Sequence, residues 1–245
     1  MQENRSFDHY LGRLVAQGYY QASELDGPPQ GWSNPDGSGG TVVPHPDDVQ
    51  CFTANHGWND MHQDWDNGLN DGFVIDNNPN GQKSFYYEDD TVIPFYYALA
   101  STFSIGDRYF ASVMTSTWPN RFYLMAATSF GIGDNSFDTL DTAEHPSPQI
   151  FSLLDQAART WRDYTDGPHQ VAFFPWYGWQ ASTRANLKDM KCALLTDIQN
   201  DTLPDVSIVM GSEVGETSDE GPSALPGIGG EMIEGLLRAD RKSVV

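Results

Sequence analysis

Apolar positions recur along this chain in short, separated blocks, and their spacing predicts helices alternating with brief strands. Residues 6–16, SFDHYLGRLVA, predict a short helix capped by Ser6 and weakened at Gly12. In HGWNDMHQDWDNGLND (56–71), His56, Asp60 and Gln63 fall at near-helical spacing, with Trp58, Met61 and Trp65 on an apolar side and an end near Gly68. Pro94 starts a helix in PFYYALASTF (94–103), and YFASVM (109–114) reads as a buried strand or strand end. Pro119 stands in the first turn of another helix, within TSTWPNRFYLMAATS. SPQIFSLLDQAARTW (147–161) predicts a helix capped by Ser147 and opened by Pro148, with Ile150, Leu153, Leu154 and Ala157 on one face. WRDYTDG then reads as strand and turn, DMKCALLTDIQ (189–199) as a helix, VSIVM (206–210) as a fully buried strand, and GGEMIEGLLRA (229–239) as a last helix. The alternation argues an α/β layered fold with a largely parallel sheet. Residues 26–47 interrupt it: the run GPPQGWSNPDGSGGTVVPHPD is a loop, long enough to be a functional excursion.

Composition narrows the partners. The 245 residues include 13 basic and 34 acidic side chains, a formal charge of −21, which repels polyphosphate backbones and disfavours nucleic acid. An acid-rich, lysine-poor surface suits salty or extracellular settings and attracts divalent cations. No apolar run approaches the roughly 18 residues of a membrane-spanning helix. Cys51 and Cys192 lie far apart without CxxC spacing, which excludes a zinc knuckle or redox motif and leaves either one disulfide or two thiols. Neither an internal repeat nor a domain boundary stands out.

Three places could carry chemistry. In TSTWPNR (115–121), Thr117 lies just before a helix start, where free backbone N–H groups and the helix dipole suit a phosphate or sulfate. Asn120 and Arg121 can add donors to the same anion, and a metal that lowered the hydroxyl pKa would make Thr117 a nucleophile. Thr117 serves equally well as a plain helix cap. Glu3 and Asn4 place a carboxylate beside an amide oxygen, a pair that either ligates a hard cation or sits on a solvated turn. His56, in a polar segment, either supports structure or donates to a phosphate oxygen or leaving group. DWDNGLNDG (64–72) is acid-rich, but its glycine and distal acid do not fall where an EF-hand needs them.

Together, ENRSFDHYLG (3–12), NHGWNDMHQDWDNGLNDGFV (55–74) and FYYALASTFSIGDRYFASVMTSTWPNRFYLMAATS (95–129) resemble the bacterial phosphoesterase family of non-haemolytic and haemolytic phospholipases C and a related acid phosphatase. Weaker similarity continues through IFSLLDQAARTWRDY (150–164) and TLPDVSIVM (202–210). The resemblance implies an alkaline-phosphatase-like three-layer αβα sandwich with a mainly parallel central sheet. It implies phosphoester hydrolysis through a covalent phospho-threonine intermediate, assisted by a divalent metal, on a phospholipid or a small phosphoester. It places Glu3, Asn4 and Thr117 as metal ligands, Thr117 as nucleophile, and His56 beside the phosphate. Asn120 and Arg121 then stand at the substrate site or brace its loop. The membrane is met only through the lipid substrate, and the setting is secreted or periplasmic, with the export signal outside this stretch.

Departures from the pattern carry their own expectations. Relatives run an apolar strand into the first motif, where this chain has Met1, and carry a later acidic segment with the remaining metal ligands. After VSIVM, a Glu-His-Pro-like triplet is expected, and the nearest segment, SDEGPSALPG, has Gly221 at the histidine position. The last six residues, DRKSVV (240–245), match a translated sequencing-adapter oligonucleotide. The expectation is therefore a single catalytic domain over 1–239, incomplete at both ends, with a non-native tail and little activity as it stands. The rival from another class is a non-catalytic acidic extracellular module binding metal or carbohydrate.

Overall fold

In the computed structural model, which describes residues 5–46, 52, 54–136, 148–165, 167, 169–174, 177 and 181–210, the predicted alternation of helix and strand is present. Packing divides the chain into two units, one up to Thr115 and one from Ser116.

The first unit opens on α1 (Phe7–Leu11), capped as predicted by Ser6, whose hydroxyl accepts the His9 N–H at 3.1 Å. Helix α4 (Pro94–Thr102) starts at its proline. Tyr10, Leu14, Leu25, Ile93, Tyr97 and Ala100 form the apolar cluster that joins α1 to α4. The long loop is irregular apart from a small hairpin, β1 (Asn34–Pro35) against β2 (Thr41–Val42). Asp36 makes its turn: the carboxylate accepts the Ser38 and Gly40 N–H groups, while Gly37 and Gly39 take positive φ. Strand β3 (His45–Pro46) pairs in parallel with β4 (Tyr86–Tyr87).

Helix α2 (Trp58–Trp65) continues into a 3-10 turn ending at Gly68, the predicted stop. Its buried face is not the predicted one. Trp58 and Trp65 are exposed, and Asp64 is buried instead. The cause is the close return of α3 (Phe73–Asp76). A Cβ on Gly72 would fall 2.1 Å from the Gln63 carbonyl oxygen, so the chain passes directly over the Asp64 side of α2.

The second unit holds α5 (Thr117–Ala126), α6 (Ile150–Gln156) and a three-stranded sheet in the order β6 (Leu187–Asp189), β5 (Trp161–Thr165), β7 (Val206–Met210). Both pairings are parallel, as the sequence pattern predicts, with Asp163 opposite Leu187 and Ile208. Short helix α7 (Ala181–Arg184) precedes β6, and a π-turn (Met190–Leu194) leads into α8 (Leu195–Asn200). Phe122, Phe151, Trp161, Val171 and Phe174 anchor the core between helices and sheet. These units make the chain an α/β protein.

Three expectations change here. YFASVM forms no strand; Tyr109 and Phe110 are 70% and 79% exposed, because no described neighbour offers that run a ladder. Strand β7 is half-exposed rather than fully buried, since among the described residues only β5 pairs with it. Helix α6 is capped by Gln149, which exchanges hydrogen bonds with Ser152, and it buries Phe151 while Leu153 is exposed. Ser147 and the helix predicted at 229–239 lie outside the described residues, as does Cys51; Cys192 is an exposed free thiol. No described helix is long and apolar enough to cross a membrane.

Candidate active site

Helix α5 begins because Ser116 is extended, with φ −69° and ψ −173°, and Thr117 takes the first helical position. Pro119, two residues on, lacks an N–H where the helix would leave one without an intrahelical acceptor. Asn120 Nδ2 donates back to the Ser116 carbonyl at 3.1 Å, which ties the first turn to its cap. The Trp118 N–H donates to Asn135 Oδ1 at 2.8 Å, so one donor of the helix N-terminus already has a protein acceptor. Arg121 donates through Nη1 to Gln170 Oε1 at 2.7 Å and reaches the Met210 sulfur. Thr117 is half-buried at the head of this turn. The structure therefore brings Thr117, Asn120 and Arg121 together on one helix end, with Asn120 and Arg121 engaged in bracing contacts.

His56 belongs to the first unit. Its Nδ1 lies 2.8 Å from the Ala54 carbonyl oxygen. A carbonyl only accepts, so Nδ1 is the donor of this contact and Nε2 is the ring nitrogen left for another partner. Asn55 fixes the approach to this histidine: its N–H donates to Asn77 Oδ1 and its Nδ2 to the Asp76 carbonyl. Glu3 and Asn4 lie outside the described residues.

On α2 the structure shows a feature that the sequence pattern hid. Asp64 is 4% exposed, its Oδ1 has no hydrogen-bond partner, and burial together with Asp76 and Asp60 pushes its pKa up to about 7. Burial and the Asp60 charge also raise the Asp76 pKa, against a hydrogen bond from Asn55 that lowers it. The four-residue spacing of Asp60 and Asp64 is legible in the sequence and puts both carboxylates on one helix face. The burial of Asp64 under α3 is not.

Asp64 sets a pH dependence of stability. Its folded pKa is raised above the unfolded value near 4, so the folded chain retains a proton that the unfolded chain releases. Stability falls as pH rises from about 4 to about 7 and then levels off. Asp64→Asn, which keeps the shape without the charge, is expected to stabilise the fold by on the order of a few kcal/mol at pH 8 and by little at pH 4. Urea unfolding at the two pH values checks this; an equal effect at both would refute it.

Among the described residues no three His, Cys, Asp or Glu side chains gather as a metal cluster. The donors that the sequence motifs name are a threonine hydroxyl, the carboxylate of Glu3 and the amide oxygen of Asn4. All three are hard oxygen donors, which suit a hard divalent cation.

A non-hemolytic phospholipase C of Burkholderia pseudomallei is 27% identical over 98% of this chain and 40% of its own length. Phospholipase C A of Mycobacterium tuberculosis is 35% identical over 49% of this chain and 26% of its own. The hemolytic phospholipase C of Pseudomonas aeruginosa is 36% identical over 49% of this chain and 17% of its own. The chain thus spans less than half the length of each of these relatives. The model of the Phosphoesterase family matches residues 1–243, and this chain belongs to that family.

Proposed function

We propose that this chain carries part of the catalytic domain of a phospholipase C-like phosphoesterase, with Thr117 as the nucleophile. The observation that carries the reading is the position of Thr117 at the first turn of α5, on a helix end tied down by Asn120 and Arg121. The family match and the phospholipase C names of the relatives support the substrate class: phospholipid head groups, or simpler phosphomonoesters. The larger architecture follows the same reading, a three-layer αβα sandwich of the alkaline-phosphatase type.

In the reaction, the Thr117 oxygen attacks phosphorus as the ester bond to the leaving alcohol breaks. The resulting phospho-threonine is then hydrolysed by water, which regenerates the hydroxyl. The helix N-terminus stabilises the negative charge that develops on the phosphoryl oxygens. The resemblance assigns His56 to the phosphate site, and the contact of Nδ1 with the Ala54 carbonyl fixes the orientation of its ring. A divalent cation held by Glu3, Asn4 and Thr117 would lower the pKa of the hydroxyl and screen phosphoryl charge. The acid-rich, lysine-poor composition supports a secreted or periplasmic setting.

Acid quenching during turnover of p-nitrophenyl phosphorylcholine, followed by peptide mass spectrometry, tests the mechanism. The expected result is a phosphorylcholine group on the peptide that contains Thr117, with p-nitrophenol released. Steady turnover with phosphorylcholine trapped on another residue would overturn it. Parallel assays with p-nitrophenyl phosphate separate diester from monoester preference.

A further inference from the structure

The contacts that hold α5 lead back to a buried carboxylate for which the reaction above has no use. Asp163 sits mid-strand on β5 with no exposed surface. Its Oδ2 accepts the Val171 N–H at 3.1 Å, the Gln170 N–H also points at it, and its Oδ1 lies 3.7 Å from His169 Nδ1. The carboxylate thereby closes the start of the 3-10 turn Gln170–Phe173, on which Gln170 is buried. Gln170 in turn supplies the oxygen that Arg121 Nη1 meets at 2.7 Å, and both side chains converge on the Met210 sulfur at the end of β7.

Burying a carboxylate costs several kcal/mol unless donors replace the lost water. An apolar residue would fill a central strand position without that cost, as the buried aromatic rings of Trp161 and Tyr164 do in the same strand. What an apolar residue would not do is fix two backbone N–H groups. Arg121 is a long side chain that loses roughly 2 kcal/mol of rotamer freedom when ordered, so it stays in place only against an acceptor that does not itself move. Arg121 lies four residues after Thr117, one turn along the same helix face.

We propose that Asp163 and Gln170 are positioning residues: Asp163 fixes the 3-10 turn, Gln170 presents a rigid acceptor to Arg121, and the pair sets the first turn of α5 that carries Thr117. The consequence for catalysis rests on Thr117 as nucleophile; the coupling from Asp163 to Arg121 does not.

The test uses the 245-residue chain, with the Arg121 Nε–H signal assigned by its loss in Arg121→Lys. Gln170→Leu removes the acceptor at similar volume and is expected to merge the Arg121 signal with those of mobile arginines. It should also raise amide exchange in the first turn of α5 by about tenfold. Gln170→Glu keeps the acceptor oxygen and is expected to retain both features. Asp163→Leu should reproduce the Gln170→Leu signature from a residue that does not touch Arg121. If Asp163→Leu fails to fold, Asp163→Asn, which keeps shape and one acceptor, is expected to give the same signature in milder form. An unchanged Arg121 signal in Gln170→Leu would overturn the proposal. So would a Gln170→Glu variant as perturbed as Gln170→Leu, or an Asp163 variant that loosens residues 170–173 and leaves α5 untouched. Thr117→Ala leaves these signals in place, so turnover surviving that change sinks the nucleophile while the coupling stands.

Discussion

Replacing Thr117 by Ala in the enzyme that carries this segment is expected to lower kcat for p-nitrophenyl phosphorylcholine by about four orders of magnitude or more, with little change in KM. In the proposed mechanism the hydroxyl oxygen forms the new bond to phosphorus, so no neighbouring donor replaces it. Loss of fold would not account for the result. Ser116, not Thr117, is the cap residue of α5, and alanine is the better helix former at the first helical position. Thr117→Ser keeps the hydroxyl but loses the β-branch that restricts its rotamers, and it should retain most of the activity that alanine abolishes. Steady-state kinetics on the three proteins, with circular dichroism as the control for folding, check the expectation. Wild-type turnover in Thr117→Ala would sink the mechanism, and a metal- or carbohydrate-binding module would be indifferent to the change.

The largest expected effect on stability is Trp161→Ala, a loss of about 3–5 kcal/mol. Trp161 opens β5 at 2% exposure, with its ring 4.7 Å from that of Phe151. Its indole N–H donates to Asp155 Oδ1 at 2.9 Å, so alanine removes a hydrogen bond as well as the packing. The resulting cavity lies at the junction of sheet and helices, where the surrounding aromatic rings cannot close it by rotamer changes alone. Against a total stability of about 5–15 kcal/mol for a typical domain, that is a large share. Trp65→Ala is the matched control: Trp65 is 41% exposed on α2, and its removal should cost under about 1 kcal/mol. Urea denaturation of both variants gives the comparison. A small loss for Trp161, or losses of equal size, would show that the aromatic core is not where the structure puts it.

The two tryptophans also show how far the site and the fold can be read in advance. Thr117, Asn120 and Arg121 are legible because they are neighbours in the chain, and a proline in the first turn announces the helix that holds them. The acceptor for Arg121 is not legible, because Gln170 lies 49 residues away and looks like any surface glutamine until the 3-10 turn folds beneath it. Asp163 is hidden for the same reason, in a strand whose other residues give no hint that one carboxylate faces inward. The misreading of α2 has a parallel cause. Its moment points along Trp58, Met61 and Trp65, but the return of the chain at Gly72 covers the opposite side and buries Asp64.

Local signals were therefore sufficient wherever the physics is local. Ser6 caps α1, Pro94 starts α4, a stop near Gly68 ends the α2 segment, and WRDYT and VSIVM are extended because their residues favour that conformation over short spans. The order ENRSFDHY then TxPNR likewise identifies the family from the chain alone. Burial, by contrast, depends on which segment packs against which, and that is settled by contacts between residues distant in sequence. Those contacts exposed the YFASVM run, pushed Asp64 out of water, and joined Asp163 through Gln170 to the helix of Thr117. A side chain's type states what it can do; the dielectric and the partners around it, which only long-range packing supplies, decide what it does.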